Sequence, residues 1–136
     1  MTIRVAADGT ADFVTITAAI QSLPKLLDHT VYIYVAPGTY TEDITFLGFY
    51  GPGMIYLTTE YEDLVTADTL GPVIIEGAIS VNACTAYINI GCNLAPTAEY
   101  PNPYFKILYN SSETPSATKA LLSALNSSRI SSVFSL

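Results

Sequence analysis

The sequence predicts an all-β protein, a short single-stranded right-handed parallel β-helix with an N-terminal capping α-helix. Three observations carry this. Strand-like runs of four to six residues recur along the first two thirds of the chain, as in Val31-Tyr-Ile-Tyr-Val35 and Met54-Ile-Tyr-Leu-Thr58. The tight dipeptides that close antiparallel hairpins, such as Asn-Gly, are missing between them. The corners are short and polar, as expected where strands wind the same way and stack coil upon coil at about 4.8 Å.

The elements follow in order. Thr2–Ala6 alternates and reads as a short strand. Asp8-Gly-Thr-Ala-Asp12 is a turn. Apolar Ile16, Ala19, Ile20 and Leu23 then recur at helical spacing, with Thr15 as N-cap and Pro24 as terminator or kink. Leu26 and Leu27 could continue the apolar face, so the capping helix is placed at about 15–27. In 31–35, Val31, Ile33 and Val35 share one face and Tyr32 and Tyr34 the other. Pro37-Gly38 reads as a turn and Glu42–Phe46 as a strand. Gly48–Gly53 is a glycine-rich corner. Met54–Thr58 is a strand, and residues 59–71 read as an acidic loop. Strands follow at Val73–Glu76, Ile79–Val81 and Ala86–Ile90.

Residues 1–94 form the N-terminal β-helix start, and 95–136 read as further coils or an oligomerisation segment. Tyr104–Tyr109 looks like a strand. Residues 115–125 offer a helix capped by Thr114, or a strand; the strand is favoured. Two Asn-Ser-Ser corners, at 110–112 and 126–128, and a last strand over 129–136 fit that choice. The chain stops at Val133-Phe-Ser-Leu136, apolar to its last residue. A solenoid without a polar cap leaves its core open, so a covering partner chain or a longer parent protein is expected.

Half of the 136 residues are apolar and 12% are charged, against about 25% in an average soluble chain. An exterior so poor in charge suits an oligomer, or a surface built from Ser, Thr, Asn and Tyr. Five Lys plus Arg and a net charge of −7 argue against nucleic acid. The charge is uneven, −8 over 1–94 and +1 over 95–136. No apolar run approaches the ~18 residues of a membrane span. The opening Met-Thr-Ile-Arg-Val lacks the apolar run of a secretion signal, which predicts synthesis in a cytosol. Cys84 and Cys92 have no metal spacing and read as reduced, buried residues.

Few residues suggest chemistry. Asp8 and Asp12 could hold a hard cation, but an Asx-turn with charge at the helix start explains them better. Glu42 and Asp43 are neighbours on a strand, so they point to opposite faces and cannot serve one substrate. The cluster Glu60-Tyr-Glu-Asp63 reads as a solvated turn. His29 reads as a loop residue. Tyr32 and Tyr34 are candidate contacts for a glycan, because aromatic rings stack on sugars and Tyr adds a hydroxyl. Packing against a neighbouring chain or against the N-terminal helix would use them equally well.

The stretches Ala7-Asp-Gly-Thr-Ala-Asp-Phe13, Ile16-Thr-Ala-Ala-Ile-Gln-Ser-Leu-Pro24 and Val31-Tyr-Ile-Tyr-Val-Ala-Pro-Gly-Thr-Tyr-Thr-Glu42 resemble the opening of pectin-lyase-like right-handed β-helices. Pectin methylesterases and many phage tail spikes and fibres begin this way. The resemblance covers residues 2 to about 47 and is general beyond that. It implies that the Gly38-x-Tyr40-x-Glu42 element is chiefly structural. The esterase motifs Gln-Asp-Thr-Leu, Asp-Phe-Ile-Phe-Gly and Gly-Arg-Pro-Trp are missing, the chain has no Trp, and Arg129 has no acid near it in sequence. The expectation is therefore a non-catalytic structural module of a phage or prophage tail appendage, without cofactor or metal. It would be located in the virion as a homo-oligomer, a trimer favoured, beside other tail proteins and with host-surface polysaccharide as a candidate ligand. The alternative is the N-terminal part of a polysaccharide-active β-helix enzyme.

Overall fold

A computed structural model describes residues 1–71, 73–91, 98 and 99 with their side chains, and the backbone of three later strands. The elements are β1 (Thr2–Val5), α1 (Ile16–Gln21), β2 (Val31–Val35), β3 (Gly38–Tyr40), β4 (Ile44–Leu47), β5 (Met54–Thr58), α2 (Leu64–Leu70), β6 (Val73–Glu76), β7 (Ile79–Asn82), β8 (Tyr87–Gly91), β9 (Phe105–Leu108), β10 (Leu122–Leu125) and β11 (Ile130–Val133). The class is all-β, with two short helices among the described residues.

The strands form three sheets, ordered β1-β2-β5-β8-β11, β3-β6-β9 and β4-β7-β10. Every strand pair is parallel. From β2 onward the chain visits the sheets in one repeating order. β2, β3 and β4 lie one in each sheet; β5, β6 and β7 pair with them in the same order, and β8, β9 and β10 repeat it.

Alternation along each strand decides what faces the interior. In β2, Val31, Ile33 and Val35 are buried while Tyr32 and Tyr34 turn outward. Register then aligns like with like. Ile3, Ile33, Leu57 and Ile90 occupy one line across four strands, and Val31, Ile55 and Ile88 another. Phe46 faces Val81, and Tyr40 faces Ile75. One continuous core joins these ladders to Ile16, Ala19 and Ile20 of α1. Fully burying each such aliphatic side chain contributes roughly 1.5–3 kcal/mol before entropic losses.

Helix α1 is shorter than the 15–27 expected. Thr15 caps it as predicted, its Oγ1 accepting from Ala18 N–H at 3.1 Å. It closes at Ser22, two residues before Pro24, whose ring disfavours helix in the residue preceding it. Leu27 is buried from the following loop instead, its N–H donating to Tyr50 O at 2.7 Å. This loop runs so close to the glycine-rich corner that a Cβ on Gly51 would lie 2.4 Å from Leu27 O.

Two further expectations are corrected. Gly38 opens strand β3, where a turn was predicted at Pro37-Gly38; three residues pairing with β6 are too short a run to show alternation. The acidic loop 59–71 contains α2. Asp63 caps it, Oδ1 accepting from Thr66 N–H at 2.8 Å, and Gly71 ends it with a positive φ of 87°. Its sequence, LVTADTL, buries only Ala67, so no apolar stripe announces a helix.

In the C-terminal part the favoured strands appear at Phe105–Leu108, Leu122–Leu125 and Ile130–Val133. The helical option fails at 122–125. The rest of that option lies outside the described residues, as do Cys92, the Asn-Ser-Ser corners, Arg129 and residues 134–136.

Candidate functional site

The outer face of the first sheet gathers the aromatic residues. Register places Thr2, Tyr32, Tyr56 and Asn89 in one outward row, and Arg4, Tyr34 and Thr58 in the next. Tyr32 stands in the middle. Its ring is stacked on Tyr56 with centroids 5.2 Å apart and on Tyr34 at 5.8 Å. The Arg4 guanidinium covers Tyr34 at 5.7 Å from the ring centre, a cation–π contact. Helix α1 packs elsewhere, against β1 and β4. The two predicted tyrosines are therefore brought together, and their neighbours are Tyr56 and Arg4, with no part played by the helix.

Arg4 also fixes the wall of this face. Its Nε and Nη2 donate to Glu60 Oε1 and Oε2 at 3.0 and 2.7 Å, a bidentate pair. Those hydrogen bonds hold the Glu60 carboxyl below its ordinary range and push Arg4 further up. Glu60 thus stays ionised near neutrality, which makes it a poor proton donor. The chain then climbs from buried Thr59 through Tyr61, whose hydroxyl donates to Gly71 O, and into α2. Between this wall and the sheet lies an open groove of 470 Å³, lined by Tyr32, Tyr34, Tyr56, Asn89, Glu60 and Glu62 among others. A second hollow of 310 Å³ continues it past Arg4 and shares Tyr34, Glu60 and Tyr61 with it.

Sequence reading found Tyr32 and Tyr34 and missed Tyr56, Asn89, Arg4 and Glu60. Tyr56 was visible as the outward position of its strand. Its alignment with Tyr32 depends on register across a corner whose length the sequence does not explain.

The other polar candidates serve the fold. Asp8 Oδ1 accepts from Thr10 N–H and Oγ1 at 3.0 and 2.6 Å, the expected Asx-turn, and these bonds lower its pKa. Asp12 accepts from Arg4 N–H at 3.0 Å. Neither supplies the charge expected at the helix start; Glu42 does. Its Oε2 accepts from Ile16 N–H at 3.1 Å, and its Oε1 from Thr17 N–H and Oγ1 at 2.7 and 2.6 Å. Asp43 turns the other way and accepts from Ala78 N–H at 3.0 Å. His29 is exposed and pairs with Asp28 at 2.6 Å, which lowers the Asp28 pKa. Cys84 is buried, its Sγ 3.5 Å from Phe46 O and 3.4 Å from Asn82 O. Among the described residues no group of three or more His, Cys, Asp or Glu is placed to hold a metal ion, and no helix is long and apolar enough to cross a membrane.

No known protein family, curated protein or solved structure matches this chain. The resemblance to pectin-lyase-like proteins therefore rests on the quoted residues.

Proposed function

We propose that this chain is a non-catalytic structural module of a phage or prophage tail appendage, a short right-handed parallel β-helix capped by α1. The right-handed coil is favoured because parallel strands joined by a crossover in one sheet take that hand in about 98% of cases. The observation that carries the scaffold reading is the use made of the opening motif. Glu42 is spent on α1, Asp43 on the Ala78 corner, and the Tyr40 hydroxyl on Ala36 O at 2.8 Å. Each of these polar groups joins one part of the coil to another.

In this reading the module works as a homotrimer among other virion tail proteins. Its tyrosine face, with Tyr32 and Tyr34, meets host-surface glycan. The low charge of the chain supports close packing against like copies. Light scattering at dilute concentration tests the assembly. A mass near three times the 14.6 kDa of one chain is expected, and a stable monomer overturns the trimer.

A further inference from the structure

We propose, resting on the glycan-contact reading above, that the groove beside Tyr56 takes an uncharged hexose chain and rejects chains of uronic acid. Tyr56 presents the stacking surface. One face of its ring is occupied by Tyr32 at 5.2 Å. The other face lies on the β8 side, where Asn89 is its register partner. Tyr32 and Tyr34 extend the aromatic surface beside it, Tyr32 stacked on both other rings and Tyr34 lying under Arg4. A hexose ring whose hydroxyls are equatorial has a flat C–H face, and this is the surface that packs on an aromatic ring.

The polar groups around that position suit neutral hydroxyls. The Asn89 amide both donates and accepts, which matches a pair of adjacent hydroxyls, and the Thr58 hydroxyl lies in the same groove. At 470 Å³ the groove falls within the range of ~300–1,000 Å³ typical of ligand clefts.

Charge decides between sugar classes. The groove carries Glu60 and Glu62. Its nearest cation, Arg4, is already held in both oxygens of Glu60. Lys25 sits apart, over the Phe49 ring. No described lysine or arginine is left to meet a ligand carboxylate, and the whole chain carries −7. A polyuronate would meet Glu62 with no described lysine or arginine side chain free to offset the repulsion.

The test titrates the full chain with cellohexaose, with N-acetylated chitohexaose and with hexagalacturonate, by saturation-transfer NMR and tyrosine emission. The chain has ten Tyr and no Trp, so that emission is read directly. At least one neutral hexaose is expected to bind, and the galacturonate to bind at least tenfold more weakly at low salt. Tyr56→Ala should weaken neutral binding by roughly five- to tenfold, while Tyr56→Phe keeps it. Asn89→Ala, checked for an unchanged Tm, should also weaken it if Tyr56→Ala fails to fold. Binding of galacturonate as tight as the neutral chains overturns the proposal, as does no binding of either neutral chain at 10 mM. A Tyr56→Ala variant that lowers the oligomer mass and leaves sugar binding unchanged assigns the face to a second copy and also overturns it. A monomeric wild type that binds the neutral chain sinks the trimer and leaves this proposal standing.

Discussion

The Glu42 carboxylate closes the start of α1 from 26 residues away, accepting from Ile16 N–H at 3.1 Å and from Thr17 N–H at 2.7 Å. Two of the amide groups that a helix start leaves unpaired are met by one ionised side chain on the way into β4. The contact ties α1 to the chain entering β4. Hydrogen bonds to a charged group contribute about 1.5–3 kcal/mol net. Glu42→Ala should therefore lower stability by about 2–3 kcal/mol in urea denaturation, with Glu42→Gln intermediate because it keeps an acceptor. An unchanged Glu42→Ala would mean that α1 is held by its apolar face alone.

Gly77 sits at the next corner for want of space. A Cβ there would lie 2.0 Å from Glu42 O and 2.9 Å from Asp43 Oδ1. The backbone oxygen cannot swing aside without breaking the β4–β7 approach, where Ile44 N–H donates to Ala78 O at 2.8 Å. Gly77→Ala should cost about 3 kcal/mol or more. A thermal scan showing no loss would mean that the chain entering β4 and the chain entering β7 stand further apart at this corner.

Neighbouring residues of β2 should respond in opposite ways. Ile33 is fully buried in the ladder with Ile3 and Leu57, while Tyr32 is 38% exposed. Ile33→Ala should destabilise by about 2–5 kcal/mol. Tyr32→Ala should cost about 1 kcal/mol from lost stacking. Equal effects in chemical denaturation would contradict the assignment of inner and outer faces.

The inner faces were legible because alternation is local: Val31, Ile33 and Val35 need no knowledge of their neighbours. Thr15 and Pro24 were legible for the same reason, being residues whose caps and breaks are set within one turn. β3 and α2 were not. Gly38-Thr-Tyr40 is a strand only because β6 lies beside it, and Leu64–Leu70 buries little and relies on Asp63 and Gly71 at its ends. The tyrosine face was half legible. Tyr32 and Tyr34 are two apart on one strand, but Tyr56 and Asn89 join them through register, and Arg4 through a pair with a distant loop. The role of Glu42 was hidden likewise, since its partners lie in the preceding helix.

The acid limb of stability follows from the exposed carboxylates. Asp8, Glu60 and Asp63 all titrate lower in the folded chain, held by bonds from Thr10, Arg4 and Thr66 respectively. A carboxyl with a depressed folded pKa stabilises above its unfolded value, 3.8 for Asp and 4.5 for Glu. That stability is lost as pH falls through the folded value. Urea midpoints should thus hold level from neutrality to roughly pH 5 and decline below it. Arg4→Gln returns Glu60 toward its ordinary range, so the decline should be shallower in that variant. High salt should shrink the difference between the two chains, because both partners are about half exposed and the pair is screened. Midpoints that rise below pH 4, or an Arg4→Gln decline as steep as wild type, would remove Glu60 from the acid response.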